Sequence, residues 1–237
     1  IFPNNWVSFH QDGRVGLYPM CAENRRLERR EDVLRLLQEE HNFVISELVD
    51  FSHYEDDGLF LEGTGSMLLD RVNNIVYAAL SLRTDAIVLE DFCEKFAYKA
   101  VSFTSNQTVG DERLAIYHTN VMMCLGEDFA VLCADTIDNT EERKALIDSL
   151  EATGKDVIYI SEAQKHRFAG NMLQIQSKNG EKFLVMSSSA HQSLTPDQIK
   201  QIEMHCPIIS SSLDTIEACG GGSARCMMAE IFLPKNA

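Results

Sequence analysis

A chain of 237 residues, 45% hydrophobic and 24% charged, has the composition of an ordinary globular domain and is long enough for one large core or two small ones. Its formal net charge of -15 excludes a nucleic-acid-binding footprint, which needs a basic face, and no apolar run approaches the ~18 residues of a membrane span. The seven cysteines, at 21, 93, 124, 133, 206, 219 and 226, are odd in number and contain no C-x-x-C pair, so they read as free thiols of a reducing cytoplasm.

The predicted elements follow one order. Strands at 7–10 and 15–18 flank Asp12-Gly13, a hairpin signal, and an amphipathic helix over 25–41 leads to a strand at 43–51. Strands at 58–62 and 75–80 precede a helix at 89–100 and a strand at 100–103. A long strand at 114–125 and another at 129–134 precede a helix at 140–153, capped by Asn139 or Thr140, and a strand at 157–160. A hairpin of 172–177 and 182–187 around Asn179-Gly180 leads to a helix at 195–204, with Pro196 and Asp197 in its first turn, and a strand at 207–210. The segment 218–233 reads as a last strand with no helix after it.

This is strand-strand-helix-strand four times, with no residue-level repeat and no Pro/Gly/Ser linker, so residues 1–237 read as one domain. The unpartnered last strand needs a neighbour, which a ring closed by the two ends of the chain would supply. A fifth unit would take roughly 50–70 more residues. The expectation is therefore a ring whose first unit is truncated, in keeping with a chain that opens on Ile1.

Three segments carry candidate chemistry. Gly220-Gly221-Gly222 leads into Ser223-Ala224-Arg225-Cys226, where Cys226 is either a small core hydrophobe or an accessible thiol approached over a bare backbone. In Glu62-Gly63-Thr64-Gly65-Ser66, a carboxylate at a strand end stands beside two glycines and two hydroxyls. It is either a plain turn or an acid that receives N–H donors. In Tyr117-His118-Thr119-Asn120 an expected strand places His118 and Asn120 on one face, and a histidine facing a thiol is an activating partner. Met122, Met123, Met227 and Met228 read as core, Trp6 as core or pocket wall, and Asp70 as a partner of Arg71 or a support for the site.

At these residues the chain resembles the guanidine-modifying enzymes of the pentein superfamily. Phe2-Pro3-Asn4-Asn5-Trp6, Asn24-Arg25-Arg26-Leu27-Glu28-Arg29-Arg30, the Glu62 to Ser66 segment and Gly221 to Met227 are most similar to the bacterial branch of citrulline-utilisation hydrolases and amidinotransferase-like proteins. The resemblance implies an α/β propeller of strand-strand-helix-strand units with pseudo-fivefold symmetry. It also implies a nucleophile at Cys226, a general acid/base at His118 and a substrate-holding carboxylate at Glu62. Arg83 matches an arginine that grips the amino-acid carboxylate, or is a surface arginine. Arg225 could do the same, depress the thiol pKa, or be a strand-edge charge.

Arginine deiminases carry aspartates where this chain has Asn4 or Asn5 and Asn120. A guanidinium only donates hydrogen bonds, whereas an amide both donates and accepts, as a neutral ureido group requires. The expected reaction is hydrolysis of citrulline to ornithine, ammonia and carbon dioxide through a thio-adduct on Cys226, with no metal or organic cofactor. Amidinotransferase, deiminase or dimethylarginine dimethylaminohydrolase chemistry stands as the alternative, and a non-catalytic pentein as another. The expected partner is a small amino-acid substrate, with no nucleic acid or membrane, and homo-oligomerisation is left open.

Overall fold

The computed structural model describes residues 1–236. Its strands form four separate three-stranded sheets, each with the same order. In unit one, β1 (Val7–Phe9) pairs antiparallel with β2 (Arg14–Leu17), and β2 pairs parallel with β3 (Glu47–Asp50) across helix α1 (Glu31–Glu39). A one-turn helix, α2 (Gly63–Ser66), leads into unit two, with β4 (Met67–Asp70), β5 (Ile75–Leu80), helix α3 (Ala86–Phe96) and β6 (Lys99–Thr104). A hairpin of β7 (Asn106–Val109) and β8 (Glu112–Ala115) stands outside the units. Unit three is β9 (Met123–Leu125), β10 (Phe129–Leu132), helix α4 (Thr140–Ala152) and β11 (Asp156–Tyr159). After the short helix α5 (Glu162–Lys165) comes unit four, with β12 (Leu173–Gln176), β13 (Lys182–Ser187), α6 (Ser188–Ser193), α7 (Pro196–Glu203) and β14 (Ile208–Ser211), and the chain continues into α8 (Asp214–Gly220).

Local chemistry explains the unit. A parallel pair cannot be joined by a tight turn, so each second and third strand are linked through a helix. The middle strands are covered on both faces, and β10 (Phe-Ala-Val-Leu) is buried at every position, which suits a continuous apolar run. Helix α4 starts where the Asn139 side chain accepts from the Glu141 and Glu142 amides, and α7 starts on a reciprocal Thr195–Gln198 capping box with Pro196 in the first turn. The core falls into three clusters, the largest centred on units three and four and joined by Phe103 and Tyr77 of unit two.

Several expected elements are displaced, each for a visible reason. The helix expected over 25–41 begins only at Glu31, because residues Glu23–Glu28 form a 3-10 segment whose arginines are drawn elsewhere. Arg26 donates to the Met20 carbonyl, and Arg29 bonds Glu55 and the Tyr18 carbonyl. The expected strand at 58–62 does not form, and the first strand of unit two is β4. The strand expected over 114–125 is broken at Thr119–Val121 by a 3-10 turn. There the Thr119 hydroxyl donates to the Ser66 carbonyl and accepts from the Ala79 amide, tying the turn to unit two.

The last strand is also absent. Gly221, with φ +66°, ends α8, and residues Arg225–Met227 form a 3-10 turn. The rest of the tail is irregular and reaches the first unit, where Leu233 is buried in its core and Phe43 bridges Lys235. Met227 is exposed and Met228 half-buried, against the expectation of core positions, whereas Met122 and Met123 are fully buried. Trp6 belongs to the first unit's core. Asp70 pairs with Lys155 at 2.8 Å, not with Arg71. Among the described residues no helix is long and apolar enough to cross a membrane.

Candidate active site

Glu62 is fully buried at the entry to α2, and its carboxylate is the hub of the site. Oε1 accepts from the Cys21 amide at 3.0 Å and Oε2 from His118 Nε2 at 2.8 Å, with the guanidinium groups of Arg83 and Arg25 at 3.7 and 3.8 Å. The two glycines after Glu62 make this possible. Gly63 has φ +47°, and a Cβ there would stand 2.3 Å from the Asn4 carbonyl oxygen. A Cβ on Gly65 would stand 2.5 Å from Asn5 Nδ2 and 3.0 Å from His118 Nδ1. Only a bare backbone lets the Pro3–Asn5 turn and the imidazole close on Glu62.

Burial pushes the Glu62 carboxyl up, but the His118 hydrogen bond, the Cys21 amide and Arg83 outweigh it and hold the group below the usual carboxylate range. Burial dominates for His118, which is held below the ordinary histidine value although Glu62 pulls the other way. Near neutral pH the pair is therefore an ionised Glu62 and a neutral His118. The carboxylate can only accept, so Nε2 carries the imidazole proton and Nδ1 is the basic nitrogen. Asn5 Nδ2 lies 3.4 Å from both Nε2 and the Glu62 carbonyl oxygen, and its Oδ1 accepts from Arg25.

Cys226 sits on the 3-10 turn Arg225–Met227, not in the strand expected over 218–233. Its Sγ receives amide N–H groups from Asn171 at 3.2 Å and Asn120 at 3.7 Å. The last glycine before this turn is packed from both sides, since a Cβ on Gly222 would stand 2.8 Å from the Phe2 ring and 3.2 Å from Cys226 Cβ. The thiol opens on a cavity of about 180 Å³ with Gln107, Tyr117, Lys165, Asn171 and Gly222 on its walls. The segment that carries His118 joins this group to the Glu62 hub, because the Tyr117 hydroxyl donates to the Gly221 carbonyl at 3.0 Å and Asn120 reaches the Cys226 sulfur.

The remaining sequence-predicted residues divide. Asn4 and Asn120 are fully buried, and Asn4 Oδ1 and Nδ2 and Asn120 Oδ1 have no hydrogen-bond partner among the described residues. Arg83 stacks its guanidinium over the Tyr117 ring at 5.1 Å and faces Glu62. Arg225 turns into the protein body, where it donates to the Met228 carbonyl at 2.8 Å and pairs with Glu230 at 3.0 Å. The reading of Arg225 as a substrate-carboxylate grip is therefore corrected: its charge is already matched. His118 and Asn120 do not share a strand face either, since they lie along the 3-10 turn.

Sequence reasoning missed Asn171 and gave Arg25 no role. Arg25 stands inside the arginine-rich motif and was readable only as part of it. Asn171 follows Gly170 just before a strand, where an asparagine reads as a turn former.

Residues 1–233 match the family described as N,N dimethylarginine dimethylhydrolase, eukaryotic. The chain belongs to that family, within the pentein superfamily. The dimethylarginine dimethylhydrolase family consists of hydrolases acting on carbon-nitrogen bonds other than peptide bonds. No curated protein matches the sequence significantly. Among solved structures, the chain is similar to apo ArgZ, an arginine dihydrolase from the ornithine-ammonia cycle in Cyanobacteria. The TM-score is 0.70 and the identity 16% over 97% of this chain and 32% of ArgZ, so the chain spans about a third of that protein's length. A variant of the ArgZ N-terminal domain covalently bound to a reaction intermediate aligns with TM-score 0.71 and 17% identity, covering 98% of this chain and 76% of the domain. A dimethylarginine dimethylaminohydrolase variant carrying an adduct with S-methyl-L-thiocitrulline aligns with TM-score 0.59 and 14% identity, covering 96% and 74%. At these identities the likeness speaks for the fold.

Proposed function

We propose that this protein is a cysteine-dependent hydrolase of the ureido or guanidino group of an arginine-related amino acid, with citrulline as the preferred substrate. The observation that carries the reading is a set of buried amide atoms without partners, both polar atoms of the Asn4 side chain and Oδ1 of Asn120, beside a single ionised carboxylate at Glu62. A buried polar group left unpaired costs about 1–3 kcal/mol, so such groups are retained where a ligand completes them. Amides match a neutral ureido group, which presents both N–H donors and a carbonyl acceptor, whereas a guanidinium calls for carboxylates.

The Cys226 sulfur attacks the ureido carbon after passing its proton to His118. Glu62 stabilises the imidazolium that results, and His118 then gives that proton to the departing ammonia. This leaves a thiocarbamate on Cys226. Water, deprotonated by His118, displaces the sulfur as a thiolate and releases a carbamate, which decomposes to ornithine and carbon dioxide. Arg83, exposed for about a third of its side chain, and Arg25 supply positive charge for the amino-acid carboxylate. The adducts named for the ArgZ domain and for dimethylarginine dimethylaminohydrolase support a covalent route on this fold.

The arginine dihydrolase name of ArgZ favours a second reading, in which arginine is taken first and the ureido species is an intermediate. The deciding test measures ammonia release from citrulline, arginine, agmatine and dimethylarginine, with and without Cys226→Ser. Citrulline should be preferred and the variant silent. Undiminished release by the variant removes Cys226 from the reaction, and a preference for arginine overturns the amide argument. Glycine added as an acceptor separates transfer from hydrolysis.

A further inference from the structure

Asn171 is 2% exposed and spends every polar atom on the segment around the thiol. Its Oδ1 accepts from the Arg225 amide at 3.0 Å, and its Nδ2 donates to the Asn120 carbonyl at 2.9 Å and faces Cys226 Sγ at 3.2 Å. These backbone partners fix the orientation of the amide. A flipped Asn171 would set its NH2 against the Arg225 N–H, and its oxygen against both the Asn120 carbonyl and the sulfur. One side chain thus clamps the turn that carries Cys226 to the turn that carries His118 and Asn120, and leaves a donor aimed at the sulfur.

We infer that Asn171 is a positioning residue that holds the Cys226 sulfur and stabilises its negative charge as the thiolate forms. The inference rests on the reading of Cys226 as the nucleophile. A hydrogen bond to an ionised acceptor is roughly twice as strong as one to a neutral acceptor, so an N–H on the sulfur favours the thiolate over the thiol. Asn120 Nδ2, at 3.7 Å, adds a weaker second donor. Asn171 reaches the reaction through the sulfur, and its loss should therefore change turnover more than substrate affinity.

The test uses iodoacetamide on the purified chain, with alkylation read at the Cys226 peptide by mass spectrometry across pH. Cys226→Ser serves as the control, because Cys21 and Cys219 are also accessible. Asn171→Ala should move the midpoint of the Cys226 alkylation profile up by about one pH unit. Asn171→Asp keeps the shape and the acceptor for the Arg225 amide but replaces the donor with charge, and should move the midpoint further. With citrulline, kcat should fall by about tenfold or more while KM stays within about twofold. A melting curve shows whether each variant is folded, and the near-isosteric aspartate carries the test if the alanine is not. An unchanged midpoint in a folded variant overturns the inference. The alkylation readout needs no substrate, so it stands apart from the fate of the citrulline assignment.

Discussion

Gly65 is the position at which one added carbon should disable the site with the least change elsewhere. A Cβ there meets Asn5 Nδ2 at 2.5 Å, His118 Nδ1 at 3.0 Å and His118 Cε1 at 3.1 Å. To restore an ordinary ~3.4 Å contact the Asn5 amide has to retreat by about 0.9 Å and the imidazole by about 0.4 Å. Neither has slack, because the imidazole is held to Glu62 at 2.8 Å and Asn5 accepts from Arg25 at 3.2 Å. Overpacking of this kind costs about 1–3 kcal/mol, equivalent to about 2–4 °C of Tm for each kcal/mol in a chain of this size. A misplacement of about 1 Å within a site, the size of the Asn5 retreat, lowers turnover by about a hundredfold. Gly65→Ala should therefore melt only modestly earlier and release ammonia from citrulline about a hundred times more slowly. Gly63→Ala provides the contrast. Its Cβ would face the Asn4 backbone oxygen at 2.3 Å with φ at +47°, so its loss should appear mainly in stability. A Gly65→Ala protein within twofold of the parent in kcat/KM would refute the argument that the glycines shape the Glu62–His118 contact.

Three further outcomes are expected. Glu62 and His118 are both held below their ordinary values, and burial together with Arg71 takes His10 down to about 3, so the unfolded chain binds more protons than the folded one. Stability is thus full at pH above the ordinary histidine value of 6.5 and is lost as pH falls below it, by up to about 1.4 kcal/mol per pH unit for each histidine. Urea midpoints at pH 8, 6.5 and 5.5 measure this, and a His10→Gln protein with an undiminished slope would contradict it. Asn120→Asp puts a second carboxylate in the site and should raise the arginine-to-citrulline ratio of kcat/KM by about tenfold or more, read from ammonia release. A fall in that ratio would sink the amide reading. Lys155 and Asp70 pair at 2.8 Å, both nearly fully buried, so Lys155→Ala, which leaves the Asp70 carboxylate only its two Asn73 donors, should cost about 3 kcal/mol in denaturant unfolding. A loss under 1 kcal/mol would show that Asp70 is rehydrated or protonated at little cost.

The unit order was legible because it rests on local signals. Asn139 and Thr195 cap their helices, and runs such as Phe129 to Leu132 are apolar enough to be buried on both faces. Boundaries failed where long-range partners outbid local preference. The 114–125 run looks like one strand until Thr119 is seen bonding Ser66 and Ala79, and 25–41 looks like one helix until its arginines are seen on Met20, Tyr18 and Glu55. The terminal run was misread as a strand because its composition carries no sign of the Arg225–Glu230 pairing or of the docking of Leu233 on unit one.

By itself the sequence determined the repeated α/β unit, the residue types of the candidate site and the glycines beside them. These follow from periodicity, capping and the conformations open only to glycine. Tertiary structure alone decided which way each charged or amide side chain points. It turned Arg225 inward and Arg83 toward Glu62, left the Asn4 side chain and the Asn120 oxygen unpaired, and brought Asn171 onto the sulfur. A side chain's direction depends on partners dozens of residues away, and those become neighbours only when the units pack.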